Sequence, residues 1–304
     1  MTQIYRPDLK IVDLLRSSKF TISAEVIPPR NGTPQSDILS QIENLTLSGA
    51  EFLSVTKGAG GSLRGGSLPI AQVIKDHFSV PSIAHFTCRD LTPEECENQL
   101  MDHHYFGIRN ILALRGDPPV GVKDWTPHPR SYPYAFQLMH QIRNLNQGQF
   151  LAREGYRSQI HSKTDFCIGA AAYPEEAEAR ARLDFFLLKV EAGAEYAITQ
   201  MLYDPEAYSK FIDELDQRGC RIPILPGARI LKSRAQAIRM QERFGIFVPR
   251  SILQELPEDE NPVQALQVFM DLVQEFRRRG APGVHVFVLS DTVLASQAIG
   301  CMRT

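Results

Sequence analysis

Apolar residues along this chain follow two alternating patterns. Short continuous runs such as ILAL (111–114) lie between longer stretches in which apolar positions recur every third or fourth residue. Continuous apolar runs mark strands buried on both faces, as in parallel sheets covered by helices. The windows LTLSGAEFLSVTKG (45–58) and KVEAGAEYAITQML (189–202) repeat one grammar: helix end, Gly-Ala-Glu-aromatic, apolar run, polar stop. Gly49 and Gly193 suit the left-handed position just past a helix C-terminus. Looser copies occupy 104–117 and 277–290. Strands are predicted over 20–27, 52–57, 81–87, 110–115, 166–172, 196–201, 222–226 and 283–289. Helices are predicted over 34–48, 92–105, 177–192, 205–217, 233–243 and 262–279 among others, with 118–165 a long loop around one helix. Such alternation predicts an α/β fold, a (β/α)8 TIM barrel forming a single domain over 1–304 with its core at about 20–300. An open doubly wound sheet is the alternative, because closure is a tertiary property.

Composition narrows the class of function. The 304 residues are 43% hydrophobic and 22% charged with a formal net charge of −2, so a sizeable core is expected. Nothing in that balance points to nucleic acid or an anionic membrane surface. The five cysteines, Cys88, Cys96, Cys167, Cys220 and Cys301, form no CxxC pair, which fits a reducing cytoplasm and gives no zinc spacing. No run approaches the ~18 apolar residues of a membrane span, and the N-terminus carries no signal-peptide pattern. A cytoplasmic location follows as the expectation, and it removes the adhesion reading that Arg115-Gly116-Asp117 would invite in a secreted protein.

In a barrel of this kind the C-terminal strand ends carry the chemistry. Those ends hold Glu25, Thr56, His85 with Thr87, Arg115 with Asp117, Tyr173, Thr199 with Gln200, Arg229, and His285 with Ser290. Thr56 and Thr199 also read as strand-end hydroxyls bonding backbone, and His285 equally as a core histidine; the cluster as a whole favours a site. No GxGxxG follows the first strand, and no GxxxxGK[ST], HExxH or GxSxG is present. AGGSLRGG (59–66) reads as a mobile loop or a phosphate cradle, and His103-His104 lack partners at metal spacing, so no metal is expected.

Taken in order, SAEVIPPR (23–30), SVTKGAGG (54–61), HFTCRD (85–90), LRGDPP (114–119), AAAYPE (170–175), AITQMLYD (197–204), LPGARI (225–230) and GVHVFVLS (283–290) resemble the methylenetetrahydrofolate reductase family, from about Phe20 to Ser290. The resemblance implies FAD at the strand C-termini, NADH or NADPH as electron donor, and methylenetetrahydrofolate reduced to 5-methyltetrahydrofolate. It makes Glu25, Asp117 and Gln200 the catalytic residues, with Glu25 as proton donor to the leaving nitrogen and Asp117 as the anion favouring a cationic iminium. It assigns Thr56, His85, Thr87, Arg115, Gly116, Asp117, Tyr134, Ala135, Tyr173 and Lys189 to the cofactor, and Glu25, Gln200, Arg229 and Phe287 to the substrate. Folate and nicotinamide are the implied partners, with a homo-oligomer as the common assembly of relatives.

The chain departs from the family between Tyr173 and Lys189, a segment shortened here. The histidine expected after Tyr-Pro-Glu gives way to Ala177 or is lost, and positions that hold the adenine and diphosphate of FAD read Arg182, Phe185 and Leu188. Arg180 and Arg182 are the candidates for substitute charge. Phe287 stands for a family tyrosine and Asp291 for an arginine, while Arg229, Lys232 and Arg234 either receive a folate tail or nicotinamide phosphate or are a solvated helix start. The insertion at 146–164 resembles a branch often fused to a homocysteine methyltransferase domain. Two other readings stay open: a barrel reductase with a different donor or no flavin, and a non-catalytic folate- or flavin-binding subunit.

Overall fold

The structure, a computed structural model, describes residues 5–17, 19–58, 61–62, 64–119, 121–122, 124–152, 162–175, 178–289 and 291–303. The first half of the chain runs α1 (Ile11–Leu15), β1 (Thr21–Val26), α2 (Ser36–Leu47), β2 (Phe52–Val55), α3 (Ser67–Asp76), β3 (Ser82–Thr87), α4 (Pro93–Tyr105), β4 (Asn110–Leu114) and α5 (Ala135–Asn146). The second runs β5 (Cys167–Ala172), α6 (Ala179–Glu191), β6 (Tyr196–Met201), α7 (Pro205–Gln217), β7 (Ile224–Ala228), α8 (Arg234–Phe244), α9 (Arg250–Glu255), α10 (Pro262–Arg278), β8 (Gly283–Phe287) and α11 (Thr292–Arg303). The eight strands are all parallel and close into a barrel in sequence order, β8 pairing back onto β1. The barrel reading is right and the open sheet is excluded.

Local chemistry explains where the helices begin. Thr92, Asp204, Ser233 and Asn261 each accept a backbone N–H at a helix start, and a proline follows three of them. One strand lies two residues later than expected. Pro223 has no amide to donate, so pairing of β7 begins at Ile224, opposite Ala197. Pro226, inside β7, removes a second donor, and β6 bulges opposite it: the register passes from Ile198–Leu225 to Met201–Gly227. Thr199 Oγ1 then accepts the Gly227 amide at 2.8 Å.

Alternation along the strands sends one set of side chains outward to the helices and the other into the barrel. Val26, Leu53, Ala84, Ile111 and Val286 belong to the large outer core that the helices cover. Phe52, Ile83, Leu112, Tyr196 and Leu225 fill the lower interior, where Ile11, Val12 and Leu15 of α1 pack onto them and plug the N-terminal end. The plug is tied by Asn110, whose Oδ1 accepts from Ile11 N and whose Nδ2 donates to the Leu9 and Ser82 carbonyls. Asp8 holds the amide and hydroxyl of Ser82, and burial raises its carboxyl to about 6.

The seam between first and last strands depends on one missing side chain. A Cβ on Gly283 would fall on the Thr21 carbonyl oxygen, well inside contact distance, and the obstacle is backbone. Gly283→Ala is therefore expected to cost roughly 1–3 kcal/mol, the range for overpacking a closed interior, read as a lower urea midpoint with unchanged slope. Among the described residues no helix is long and apolar enough to cross a membrane.

Candidate active site

Above the α1 plug the barrel interior turns polar. Ser23 on β1, Ser54 on β2 and His285 on β8 share one layer: His285 Nδ1 lies 2.8 Å from Ser23 Oγ and Nε2 lies 3.1 Å from Ser54 Oγ. Ser23 also donates to the Val284 carbonyl. All three bonds are satisfied when Nδ1–H donates to Ser23 and Ser54 donates to Nε2, which is the neutral imidazole. Burial, with His85 nearby, holds His285 down at about 3. His285 is thus a satisfied histidine within the barrel.

One layer higher, Glu25, the last but one residue of β1, lies between Ser54 and Phe287 in register, only 9% exposed. Its Oε2 is 3.6 Å from His85 Nε2. That contact is close enough for an ion pair, yet burial pushes Glu25 up to about 8 and His85 down to about 4, so both are neutral at pH 7. The desolvation of both groups decides against a charged pair. His85 Nε2 and Thr56 Oγ1 are buried atoms without a hydrogen-bond partner. The register that pairs Val55 with Ala84 sets Thr56 beside His85. A neutral acid and two unanswered polar atoms make this floor ready to exchange a proton and to bond a polar ring.

Beyond the floor, a cleft of about 360 Å³ opens between the ends of β4 and β5 and helices α5 and α6. Arg115, Tyr134, Ala135, Tyr173 and Lys189 all line it, so five residues expected at a cofactor converge on one hollow. Lys189 Nζ donates to the Ala171 carbonyl at 2.8 Å and sits 5.1 Å from the Tyr173 ring centre. Gly116 has φ +94°, and a Cβ there would press on Thr87 and on Arg89 at 3.2 Å, so the turn after β4 needs glycine and brings Thr87 to its edge. Asp117 is exposed on that turn. Gln200 is turned to solvent by the β6 bulge, its Oε1 accepting from Met201 N at 2.9 Å.

Other expected residues are placed elsewhere. Arg229 is half-buried against α8, 3.8 Å from Met240 Sδ, and does not line the cleft. Lys232 is held by Glu260 at 3.1 Å and Asp291 at 3.4 Å, and Arg234 by the Leu253 carbonyl and Glu258. Arg182 reaches the cleft, but its guanidinium is bound to the Pro174 carbonyl and Glu214. Arg180 is almost fully exposed, 3.8 Å from Asp184. Phe287 lies over Gly227, where a Cβ would collide with its ring. Ala177, Ser290, residues 59, 60 and 63 of the glycine-rich loop and residues 153–161 of the insertion fall outside the described residues; of that loop, Arg64 donates to the Pro28 carbonyl and Gly65 N to Asn31. Ser23 and Ser54 are functional-layer residues that the motifs do not point to, although Thr21, Ser23 and Glu25 at every second position of β1 signal a polar interior.

Comparison with known proteins agrees with this geometry. The family model described as methylenetetrahydrofolate reductase matches residues 10–300. "Methylenetetrahydrofolate reductase 1" of Schizosaccharomyces pombe is 29% identical over 282 residues, covering 90% of this chain and 44% of that protein. The chain therefore spans under half the length of that relative. The 5,10-methylenetetrahydrofolate reductase of Escherichia coli K12 is 30% identical over 281 residues, 90% of this chain and 87% of its own. Among solved structures, a Clostridium thermocellum protein described as binding two copies of 5-methyl-5,6,7,8-tetrahydrofolic acid shares the fold, with TM-score 0.60, 16% identity, and coverage of 95% and 96%.

Proposed function

The chain belongs to the methylenetetrahydrofolate reductase family, and from that premise we propose that it reduces 5,10-methylenetetrahydrofolate to 5-methyltetrahydrofolate with electrons from NADH or NADPH and FAD as the carrier. The observation that supports this reading most is Glu25, a carboxylic acid kept neutral to about pH 8 at the floor of an open barrel end. The residues present fit a flavin. Thr56 Oγ1 and His85 Nε2 are buried and unanswered, and a flavin edge offers ring nitrogens and carbonyl oxygens of the kind they bond. The adjoining cleft joins aromatic walls to the Arg115 guanidinium, which suits a phosphate-bearing extension. Bound there, FAD would supply hydride transfer.

Each side chain then has a task set by its surroundings. Reduction requires the five-membered ring of the folate to open, which breaks a C–N bond and leaves an iminium cation. Glu25 gives its proton to the departing nitrogen and becomes a carboxylate; the burial that raises its pKa is what keeps that proton available at neutral pH. Asp117, on the turn after β4, places negative charge at the rim where the cation forms. Gln200, its carboxamide directed outward by the bulge, positions the substrate, and Phe287, the register neighbour of Glu25 on β8, borders the substrate side with its ring over Gly227. Thr87, Gly116, Tyr134, Ala135, Tyr173 and Lys189 shape the cofactor wall. Arg229, held against α8, stands outside the cofactor cleft.

Purified protein is expected to carry or take up a flavin whose visible absorption is bleached anaerobically by NADH or NADPH. Methylenetetrahydrofolate should then restore the spectrum and yield 5-methyltetrahydrofolate. Protein that turns over folate with no flavin, or that binds 5-methyltetrahydrofolate without any turnover, would overturn the proposal.

A further inference from the structure

Helix α6 grips the turn after β5 at two points. Arg182 and Lys189 lie two helical turns apart and so share a face of that helix. Lys189 Nζ donates to the Ala171 carbonyl at 2.8 Å, and Arg182 Nη1 donates to the Pro174 carbonyl. Tyr173 stands between those two carbonyls, 44% exposed, with its ring centre 5.1 Å from Lys189 Nζ. A third hold comes from the far side, where Glu175 Oε2 accepts the Phe247 amide at 3.4 Å. The backbone on both sides of Tyr173 is thus fixed, while Tyr173 itself borders the cleft.

Arg182 is the costly member of this set. It is only 8% exposed, its Nε is buried without a partner, and its guanidinium lies 5.3 Å from the centre of the Phe211 ring. Its Nη2 is bound to Glu214 on α7. A buried ion pair adds little stability compared with apolar side chains of similar size. A methionine beside Phe211 would pack there without the desolvation, yet it could not hold the Pro174 carbonyl. The charge therefore acts on the turn. Helix α7 follows directly on β6, the strand that carries Gln200, so the pair also ties the cofactor wall to the substrate strand.

We propose that Arg182 is a positioning residue: anchored by Glu214, it fixes the turn from Tyr173 to Glu175 so that Tyr173 forms a rigid wall for the flavin. The inference rests on the flavin reading above and gives Arg182 its task through Tyr173, without contact with the cofactor. A wall fixed before binding loses no freedom when the ligand arrives, and that preorganisation is expressed as affinity.

The test is equilibrium binding of FAD to apoprotein in a double-mutant cycle of Arg182→Met with Tyr173→Ala. Methionine keeps a long apolar stem beside Phe211 and removes both hydrogen bonds. Arg182→Met is expected to weaken FAD about tenfold, the scale of one hydrogen bond from a charged donor. Once Tyr173 is replaced by alanine, the same substitution should cost nothing further, because the wall it holds is gone. Arg182→Met/Glu214→Leu removes both charges together, leaves no carboxylate unpaired, and should show the same loss even where the single variant does not fold. Undiminished FAD binding in these variants, or an equal loss with and without Tyr173, would overturn the positioning role and leave the flavin reading intact. Failure of both variants to fold would make Arg182 a structural residue and overturn it as well. Failure of wild type to bind FAD would overturn both readings.

Discussion

Glu25→Gln is expected to lower folate turnover by about 10²–10⁴-fold, the span that a positioned general acid contributes. Glutamine keeps the shape and the neutrality of the protonated acid, so its buried place on β1 is retained and only the transferable proton is lost. Oxidation of NADH or NADPH by an artificial acceptor needs no proton at the folate nitrogen and should persist. Steady-state assays of both half-reactions on one preparation check this. A loss shared equally by the two would mean that Glu25 shapes the cofactor site. In wild type the folate reaction should also decline as pH rises through about 8, where Glu25 ionises.

The same substitution should make the protein more stable at neutral pH. Glu25 is raised from 4.5 to about 8 in the folded chain, so folding takes up a proton between those values. For a group of raised pKa the stabilising effect is complete below the unfolded value and is lost as pH climbs through the folded one. Each pH unit in that window costs about 1.4 kcal/mol. At pH 7 the wild type has forfeited about 3 kcal/mol that a glutamine, which never ionises, does not forfeit. Urea unfolding of both proteins from pH 5 to pH 9 should show a gap that widens with pH and levels off near 8. His85 acts in the opposite sense: its folded value of about 4 lies below 6.5, so its contribution is present above 6.5 and fades as pH falls to 4. Glutamine at position 25 leaves that acid limb in place. A gap independent of pH would refute the neutral state of Glu25.

Much of this was legible along the chain because strands and their end motifs are local. Eight apolar runs gave eight strands, and five residues expected around a cofactor line one cleft. What escaped depends on partners distant in sequence. Gln200 faces outward because Pro226, on the neighbouring strand, forces a bulge. Lys232 and Arg234 look like free bases in their own segment, and only folding shows Glu260, Asp291 and Glu258 beside them. The five residues of α1 are too few for a periodic signal, yet they seal the barrel floor. The state of Glu25 is likewise a property of burial: the same carboxyl in water is an ordinary anion.

The join between β1 and β8 has a consequence for how the protein is made. Ser23 meets His285 across 262 residues, and Glu25 is enclosed only when β8 arrives at its flank. On the ribosome the first seven strands emerge with that edge unpaired, and contacts of such span form late. The proton-holding floor is therefore among the last parts of the molecule to assemble, and a nascent chain halted before β8 presents an open strand edge that a chaperone or a second copy can cover.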